Sequence, residues 1–533
     1  MAYIVKRKVN GKPYFMEVEG YRENGKVKQR VLRYFGREDP RKNPEAKPIH
    51  KHQVVATYRF GDIALLWHCA EFVKLVDTIN KYMPKRQGLS HGLMVFLLAA
   101  HRLTGDKPSA SNLQQWCKST FLSRLPGINT DKINKNTISY TLDCIHNRKR
   151  HCDQTLVIAK DLYEFAHKMF GLKEDTFFYD LTSTYFEGKH CPIARFGYSR
   201  DGLSDKLQIN IGMVVDKTLG FPMMTKVFDG NINDVKTVFE MVYYAKFILG
   251  KEKAMLIMDR GMDSEDNIKI MDTTEYSYII GLSCKHKFVN KLKSMNIDDW
   301  IEFEANDKKI LLKKFSKNLF GKRRIVLLYY NEEIAFVQRE ARQRKIKYAE
   351  EQLCLETLTK NKAQEFTKGL SKYFDIETNN RKITWKKKQV EIRQSERTDG
   401  KFCIITDKDI PPEEIYTLYF SKDKVEKGFR HMKQDLDLHP TRKRLPDRVI
   451  ADVFICHIGY LLLRLAEKLI QDKKIDVFWD TLSTETKEIR LLEYKKCCDN
   501  FYYDYVANNE IQKNIVDKLN LGKYVPVITT STK

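Results

Sequence analysis

The sequence predicts a mixed α/β protein of several domains, on three observations. Its 533 residues exceed what one ordinary hydrophobic core organises, a length that suits three to four domains or one large enzyme with insertions. Near residue 175 the apolar period shifts from helical to alternating, and strand-like and helical runs then follow one another. Finally, a basic stretch rich in strand-like runs separates two parts of that α/β pattern.

Residues 1–50 read as a basic β-hairpin segment, with turn dipeptides at Asn10-Gly11 and Asn24-Gly25. Pro40, Pro44 and Pro48 mark a linker. Residues 51–170 read as a helical domain and a candidate DNA-binding element, through runs such as HGLMVFLLAAHRL. From 171 to 282 come three strands (DTFFYDLTSTYF, LQINIGMVVD, GFPMMTKVFDGN), a helix from Asp234 to Leu249, the strand KAMLIMDRG, a second helix and the strand EYSYIIGLS. That order is the one expected of a ribonuclease-H-like core. Residues 283–398 form the basic β-rich insertion, with IEFEA, KILLKKF and RRIVLLYY as strands, a charged helix near 338–370 and RKITWKKKQVEIR as another strand. The core resumes over 399–470 with the strand KFCIITD, one helix over about 415–436 and an apolar helix over 450–470. Residues 471–533 are a mixed C-terminal segment, with dimerisation as its candidate role.

Lys and Arg number 94 against 70 Asp and Glu, a net charge of +24. Residues 1–50 hold +7 of it and 281–400 hold +11, so the charge is clustered and points to nucleic acid as the polyanionic partner. Eleven scattered cysteines without a repeated CxxC spacing suit reduced thiols in the cytoplasm. The most apolar stretch, Val453 to Leu463, is cut by Asp452 and Arg464, so no membrane span is expected.

Asp180 ends the apolar run TFFY and Asp259 ends AMLIM, placing each carboxylate at or near the tail of a strand, where α/β sheets present groups to a crevice. Turn formation or helix capping is the plainer role for either acid alone. On a single helix at about 100° per residue, Tyr419, Lys422, Glu426, Arg430 and Lys433 share an arc of about 80°. Val425, Phe429, Met432 and Leu436 line the adjoining apolar face.

The spacing Tyr419-x2-Lys422-x3-Glu426-x6-Lys433 resembles the Tyr-Arg-Glu-Lys signature of insertion-sequence DDE transposases of the IS-four type, which cut and paste DNA. Asp180 and Asp259 match the first two acids, and DLTSTYF, GYSRDGLSDKLQINIG, FDGNINDVKT and MDRGMDSEDN agree with the likeness. Lys422 departs from the signature's Arg and lacks its bidentate phosphate fork. The resemblance implies a β-rich insertion between the second and third acids. It also implies two Mg²⁺ ions, with Mn²⁺ as a substitute, held by Asp180, Asp259 and Glu426. Water attack would cleave the element's ends, and the freed 3′-OH would attack target DNA. Tyr419, Lys422 and Lys433 would contact the DNA end, and Arg430 shares their stripe. The partners implied are duplex DNA, as terminal inverted repeats and target, and a second copy in a paired-end homodimer. The alternatives are a ribonuclease-H-like nuclease without strand transfer and a domesticated DNA-binding protein without catalysis.

Trp300 and Trp385, flanking the basic insertion, are candidates for stacking a flipped base, with packing inside β structure as the alternative. Cys144-x-His146-x4-His151-Cys152 carries zinc-type side chains without a standard spacing. His457, on the apolar helix, reads as a core histidine.

Because +18 of the net charge lies in two segments, affinity for duplex DNA should fall steeply from low to moderate salt as phosphate contacts release counterions. A gel-shift titration across ionic strengths tests this; a flat response would remove the electrostatic argument.

Overall fold

The computed structural model describes residues 2–9, 12–23, 26–43, 53–105, 108–150, 152–172, 176–188, 190–197, 199–200, 202–203, 205–248, 250, 253–305, 307–354, 360–379, 382–495 and 501–527. The turns at Asn10-Gly11 and Asn24-Gly25, the linker prolines Pro44 and Pro48, and His151 lie outside the described residues. The chain divides into two compact units.

The larger unit holds 66–114 and 131–469. It begins with helices α1 (Leu75–Tyr82), α2 (His91–Thr104), α3 (Lys135–Ile145) and α4 (Thr155–Met169). Ser90 caps α2 by accepting from Leu93 N–H at 3.2 Å, and Asn134 caps α3 with a reciprocal Thr137 contact, each meeting a donor that the first helical turn leaves unpaired.

The centre of this unit is a nine-stranded sheet. Its strands are β1 (Thr176–Tyr185), β2 (Gln208–Asp216), β3 (Pro222–Asp229), β4 (Met255–Met258), β5 (Ser277–Leu282), β6 (Ile301–Ala305), β7 (Lys308–Leu319), β8 (Lys322–Asn331) and β11 (Lys401–Thr406). They lie in the order β6-β7-β8-β11-β5-β4-β1-β2-β3. Only β5-β4 and β4-β1 pair in parallel; the remaining neighbours are antiparallel. Every residue of β2 and β5 is buried; β5 is a short, mostly apolar run, whereas β2 also buries Gln208, Asn210 and Asp216. The crossovers pass through α5 (Asp234–Tyr243), which continues as a short π-helical turn over Tyr244–Ile248, and α6 (Glu265–Thr273).

The basic stretch after residue 282 does not stand apart from the sheet, as an independent insertion would. Its first three strands extend the sheet through β8, which pairs with β11. Beyond β8, helix α7 (Glu332–Leu353), capped by Asn331, packs Ile346, Ala349 and Leu353 into a separate small core with Ala363, Leu370, Tyr373 and Phe374. The hairpin β9 (Phe374–Asn379) and β10 (Lys382–Lys387) sits on that core. The QVEIR half of the expected strand is instead helix α8 (Gln389–Glu396), and no residue of α8 is buried.

The one helix expected over about 415–436 is two: α9 (Pro412–Phe420) and α10 (Asp423–Gln434). At the break, Ser421 Oγ donates to Thr417 O at 2.7 Å, sharing that acceptor with the Ser421 N–H at 3.0 Å. Helix α10 rests on β1 and β2 with Val425, Gly428, Phe429 and Met432 buried. Helix α11 (Pro446–Asp472) follows. Among the described residues it alone is long and apolar enough to cross a membrane, but 89% of its apolar window is buried inside the protein, as in a core helix.

The smaller unit combines 1–65, 115–130 and 470–533. Ala2–Val9, Lys12–Glu23 and Lys26–Gly36 form an antiparallel three-stranded sheet. Residues 53–59, expected to open the helical domain, are instead a strand, Gln53–Arg59, paired with Arg490–Lys495 from the C-terminal segment, which in turn pairs with Phe501–Val506. Tyr58 donates to Glu493 at 2.7 Å and Arg124 pairs with the same carboxylate at 3.1 Å, tying distant parts of the chain together inside this unit.

Phe429 is 5% exposed on the face of α10 that meets the sheet, so Phe429→Ala should cost about 3–5 kcal/mol in urea unfolding. The neighbouring exposed Arg430→Ala should change stability by no more than about 0.5 kcal/mol. Equal losses would mean that α10 does not seat on this face.

Candidate active site

Met258 of β4 lies beside Tyr179 of β1 in parallel register, so the residues that follow, Asp259 and Asp180, emerge side by side. Asp180 remains within β1, whereas Asp259 ends its strand and opens the short turn Arg260–Met262. Adjacent parallel strands thus force two carboxylates together at one crevice.

Helices α9 and α10 bring the remaining groups over this edge. Tyr419, from the last turn of α9, is 8% exposed and donates through its hydroxyl to Asp259 Oδ1 at 3.1 Å. Lys422, at the junction of the two helices, donates to the same oxygen at 3.0 Å and to Glu426 Oε1 at 3.1 Å. Glu426 itself is exposed on the first turn of α10. The stripe expected on one helix is therefore assembled from two helices, and the turn at Ser421-Lys422 sets it.

Two glycines admit these helices. A Cβ on Gly281 of β5 would lie 2.2 Å from the Tyr419 hydroxyl oxygen. One on Gly428 would lie 2.7 Å from Met213 Cε and 2.9 Å from Tyr460 Cζ, so α10 approaches the sheet and α11 too closely for any side chain there.

Burial dominates the ionisation of Asp180 and pushes its carboxyl up to about 6; Asp259's negative charge adds to the rise, against the Leu181 N–H at 2.8 Å and the positive charge of Lys422. Burial also acts to raise Asp259, but the Lys422 charge and hydrogen bond, with the Arg260 N–H and the Tyr419 hydroxyl, outweigh it and hold Asp259 below the usual carboxylate range. For Lys422, burial favours the neutral amine, yet Asp259, Glu426 and Asp180 together lift it above an ordinary lysine. Burial and then Asp259's charge raise the Tyr419 phenol, which stays a proton donor.

Residues near the acids in the sequence hold the surroundings in place. Ser183 Oγ accepts from Arg200 N–H at 3.1 Å, and Thr184 Oγ1 donates to Leu438 O at 3.3 Å in the turn after α10. Asn233 caps α5, and Ser264 caps α6 by accepting from Asn267 N–H at 3.1 Å. Gly197 and Gly230 cross where a Cβ on Gly197 would lie 2.1 Å from Gly230 O. Arg200, whose charge reaches Asp180, was not singled out from the sequence; its place in GYSRDG beside the first acid was the available signal.

Among the other expected site residues, Arg430 is exposed and Lys433 half-buried along α10. The tryptophans are not part of the cluster. Trp300 is 8% exposed with Lys401 Nζ 5.6 Å from its ring centre, and Trp385 packs edge-on against Phe374 at 5.8 Å. Both rings contact the protein's own side chains, Trp300 outside any strand and Trp385 within β10. His146 pairs with Asp447 at 3.0 Å, and among the described residues no three His, Cys, Asp or Glu side chains form a ready metal cage. His457 is fully buried with Nδ1 3.5 Å from Thr225 Oγ1, and burial lowers it to about 3.

Because Asp180 titrates near 6 when folded and near 3.8 ordinarily, its contribution to stability is present below about pH 4 and is lost as pH rises through 6, by up to about 3 kcal/mol. In metal-free buffer, Asp180→Asn should therefore gain stability relative to wild type between pH 4 and 7 in urea unfolding. A difference constant across that range would show that the carboxyl is not raised.

Residues 173–462 match the family model described as "Transposase DDE domain", and residues 4–57 match "IS1634 family transposase, N-terminal domain". No curated protein matches the chain. Among solved structures, the chain is similar to a piggyBac transposase synaptic complex with hairpin DNA, at 10% identity and a TM-score of 0.37, covering 79% of each chain. With more than half of its length matched by the catalytic-domain model, the chain belongs to the insertion-sequence DDE transposases.

Proposed function

We propose that this transposase cuts the ends of its element and joins them to target DNA with Asp180, Asp259 and Glu426 as the acidic triad. The observation that carries this reading is the convergence of Asp180 and Asp259, from adjacent parallel strands, with the Lys422–Glu426 pair of the α9–α10 junction. The order β3-β2-β1-β4-β5, with β2 antiparallel to both neighbours, supports a ribonuclease-H-like description of the central five strands.

The donor chemistry suits a divalent cation; the three acids are not gathered into a ready cage, so side-chain movement would complete the site. All three side chains offer hard oxygens, and two of them, Asp259 and Glu426, already bind a positive charge, the Lys422 ammonium. When bound, a pair of Mg²⁺ ions, or Mn²⁺ in their place, supplies Lewis-acid stabilisation of the attacking and leaving phosphodiester oxygens. Asp180 and Asp259 would hold the ions from the rigid sheet, and Glu426 would close on them from α10. Tyr419 keeps its proton and orients Asp259 through their hydrogen bond. Arg430 and Lys433, further along α10, supply positive charge for the DNA end, and the basic segments bind the duplex without reading its bases. Two copies would pair the two terminal inverted repeats.

Asp180→Asn, Asp259→Asn and Glu426→Gln should each abolish Mg²⁺-dependent nicking and strand transfer while leaving the gel-shift of end-containing duplex largely intact. Each amide keeps size and packing but removes the charge that holds the cation. Substantial cleavage by one variant would remove that residue from the triad; cleavage by all three would overturn the reading.

A further inference from the structure

We propose that Lys422 is a built-in counter-ion of the carboxylate site: its ammonium occupies the space between Asp259 and Glu426 and must leave for a divalent cation to bind there, so Lys422 sets the site's cation affinity. The inference rests on the reading of Asp180, Asp259 and Glu426 as cation ligands.

The geometry carries it. Lys422 Nζ lies 3.0 Å from Asp259 Oδ1 and 3.1 Å from Glu426 Oε1, so one ammonium bridges these two acids. Its side chain is 19% exposed, against 39% for Asp259 and 55% for Glu426, so the ammonium sits inside the pair. The Tyr419 ring centre is 5.5 Å from Nζ, which backs the charge with an aromatic face. Beyond these two acids, the charge of Asp180 also acts on the ammonium, while that of Arg200 acts on Asp180 and that of Arg260 on Tyr419.

An ammonium and a divalent ion cannot share one set of oxygens, because each would face the other's charge at close range. Lysine suits this role where arginine does not. Its charge is compact, with three donors on a flexible stem that can withdraw, whereas a guanidinium is broad, planar and pre-set for bidentate contacts. The residue that departs from the family signature is thus the one whose shape imitates a small cation. Once displaced, the ammonium is free to donate to a DNA phosphate. It serves the acids or the phosphate, but not both, and by linkage cation binding and phosphate contact should favour one another.

The test measures Mn²⁺ binding to the purified full chain by electron paramagnetic resonance of the free ion, with thermal unfolding in parallel, for wild type, Lys422→Met and Lys422→Arg. Lys422→Met should bind Mn²⁺ about tenfold more tightly, equivalent to about 1.4 kcal/mol. Lys422→Arg, which keeps the charge in a guanidinium set to hold the two carboxylates and less able to withdraw, should bind Mn²⁺ no more tightly than wild type. Without metal, Lys422→Met should melt below wild type, and saturating Mn²⁺ should close the gap. A merely structural lysine would instead lower the melting temperature equally with and without Mn²⁺ and leave affinity unchanged. Wild-type binding that Lys422→Met fails to tighten overturns this inference alone. No Mn²⁺ binding by either protein overturns the cation reading beneath it.

Discussion

Two carboxylates that repel one another, held side by side by strand pairing, are the constraint around which the larger unit is arranged. The parallel ladder between β4 and β1 fixes the backbone as far as Met258 and Tyr179, so the two acids that follow leave it side by side. What remains adjustable is the cover. Helices α9 and α10 supply a phenol and an ammonium that both converge on Asp259, while Asp180, through its own burial, holds its proton more strongly than an ordinary aspartate.

That cover depends on close approach. Gly428 lets α10 lie against Met213 and Tyr460, and Gly281 leaves room for the Tyr419 hydroxyl. On the other side of α9, the rings of Tyr329, Phe402, Tyr416 and Phe420 pack with centres 4.5–6.1 Å apart, and Tyr329 donates to Pro412 O at 2.7 Å. Since Tyr329 belongs to β8, a strand of the basic stretch helps to seat the helix whose last turn carries Tyr419. The stretch between the second and third acids is therefore structurally joined to the site.

Much of this was legible in the sequence because it is local. Apolar runs ending in Asp180 and Asp259, a period change near 175 and an amphipathic segment with Glu426 on its polar face are each contained within a dozen residues. The break at Ser421-Lys422 was not legible, since neither glycine nor proline marks it and a serine bonding backward suits a continuous helix equally well. Pairing over long sequence separations was likewise hidden: β8 with β11, and Gln53–Arg59 with Arg490–Lys495, depend on which edges remain open after other elements have packed. QVEIR alternates like a strand, yet α8 buries none of its residues, so no sheet face was there to select strand over helix.

A sheet of nine strands has two edges, and an open edge is a template for unwanted pairing with other chains. Here one edge is β6, only five residues long and carrying Glu302 and Glu304; the other is β3, which begins at Pro222 beside a register irregularity at Val214/Val215. Short length, charge, proline and local twist are all features that discourage such pairing. During synthesis, however, β5 emerges well before β11, its partner on that side, so its completely buried, uncharged SYIIGL stays an unsatisfied edge while more than a hundred further residues are made. The nascent chain is thus most prone to self-association in that interval, and the arrival of β11 both closes the sheet and delivers the helices that cover the acids.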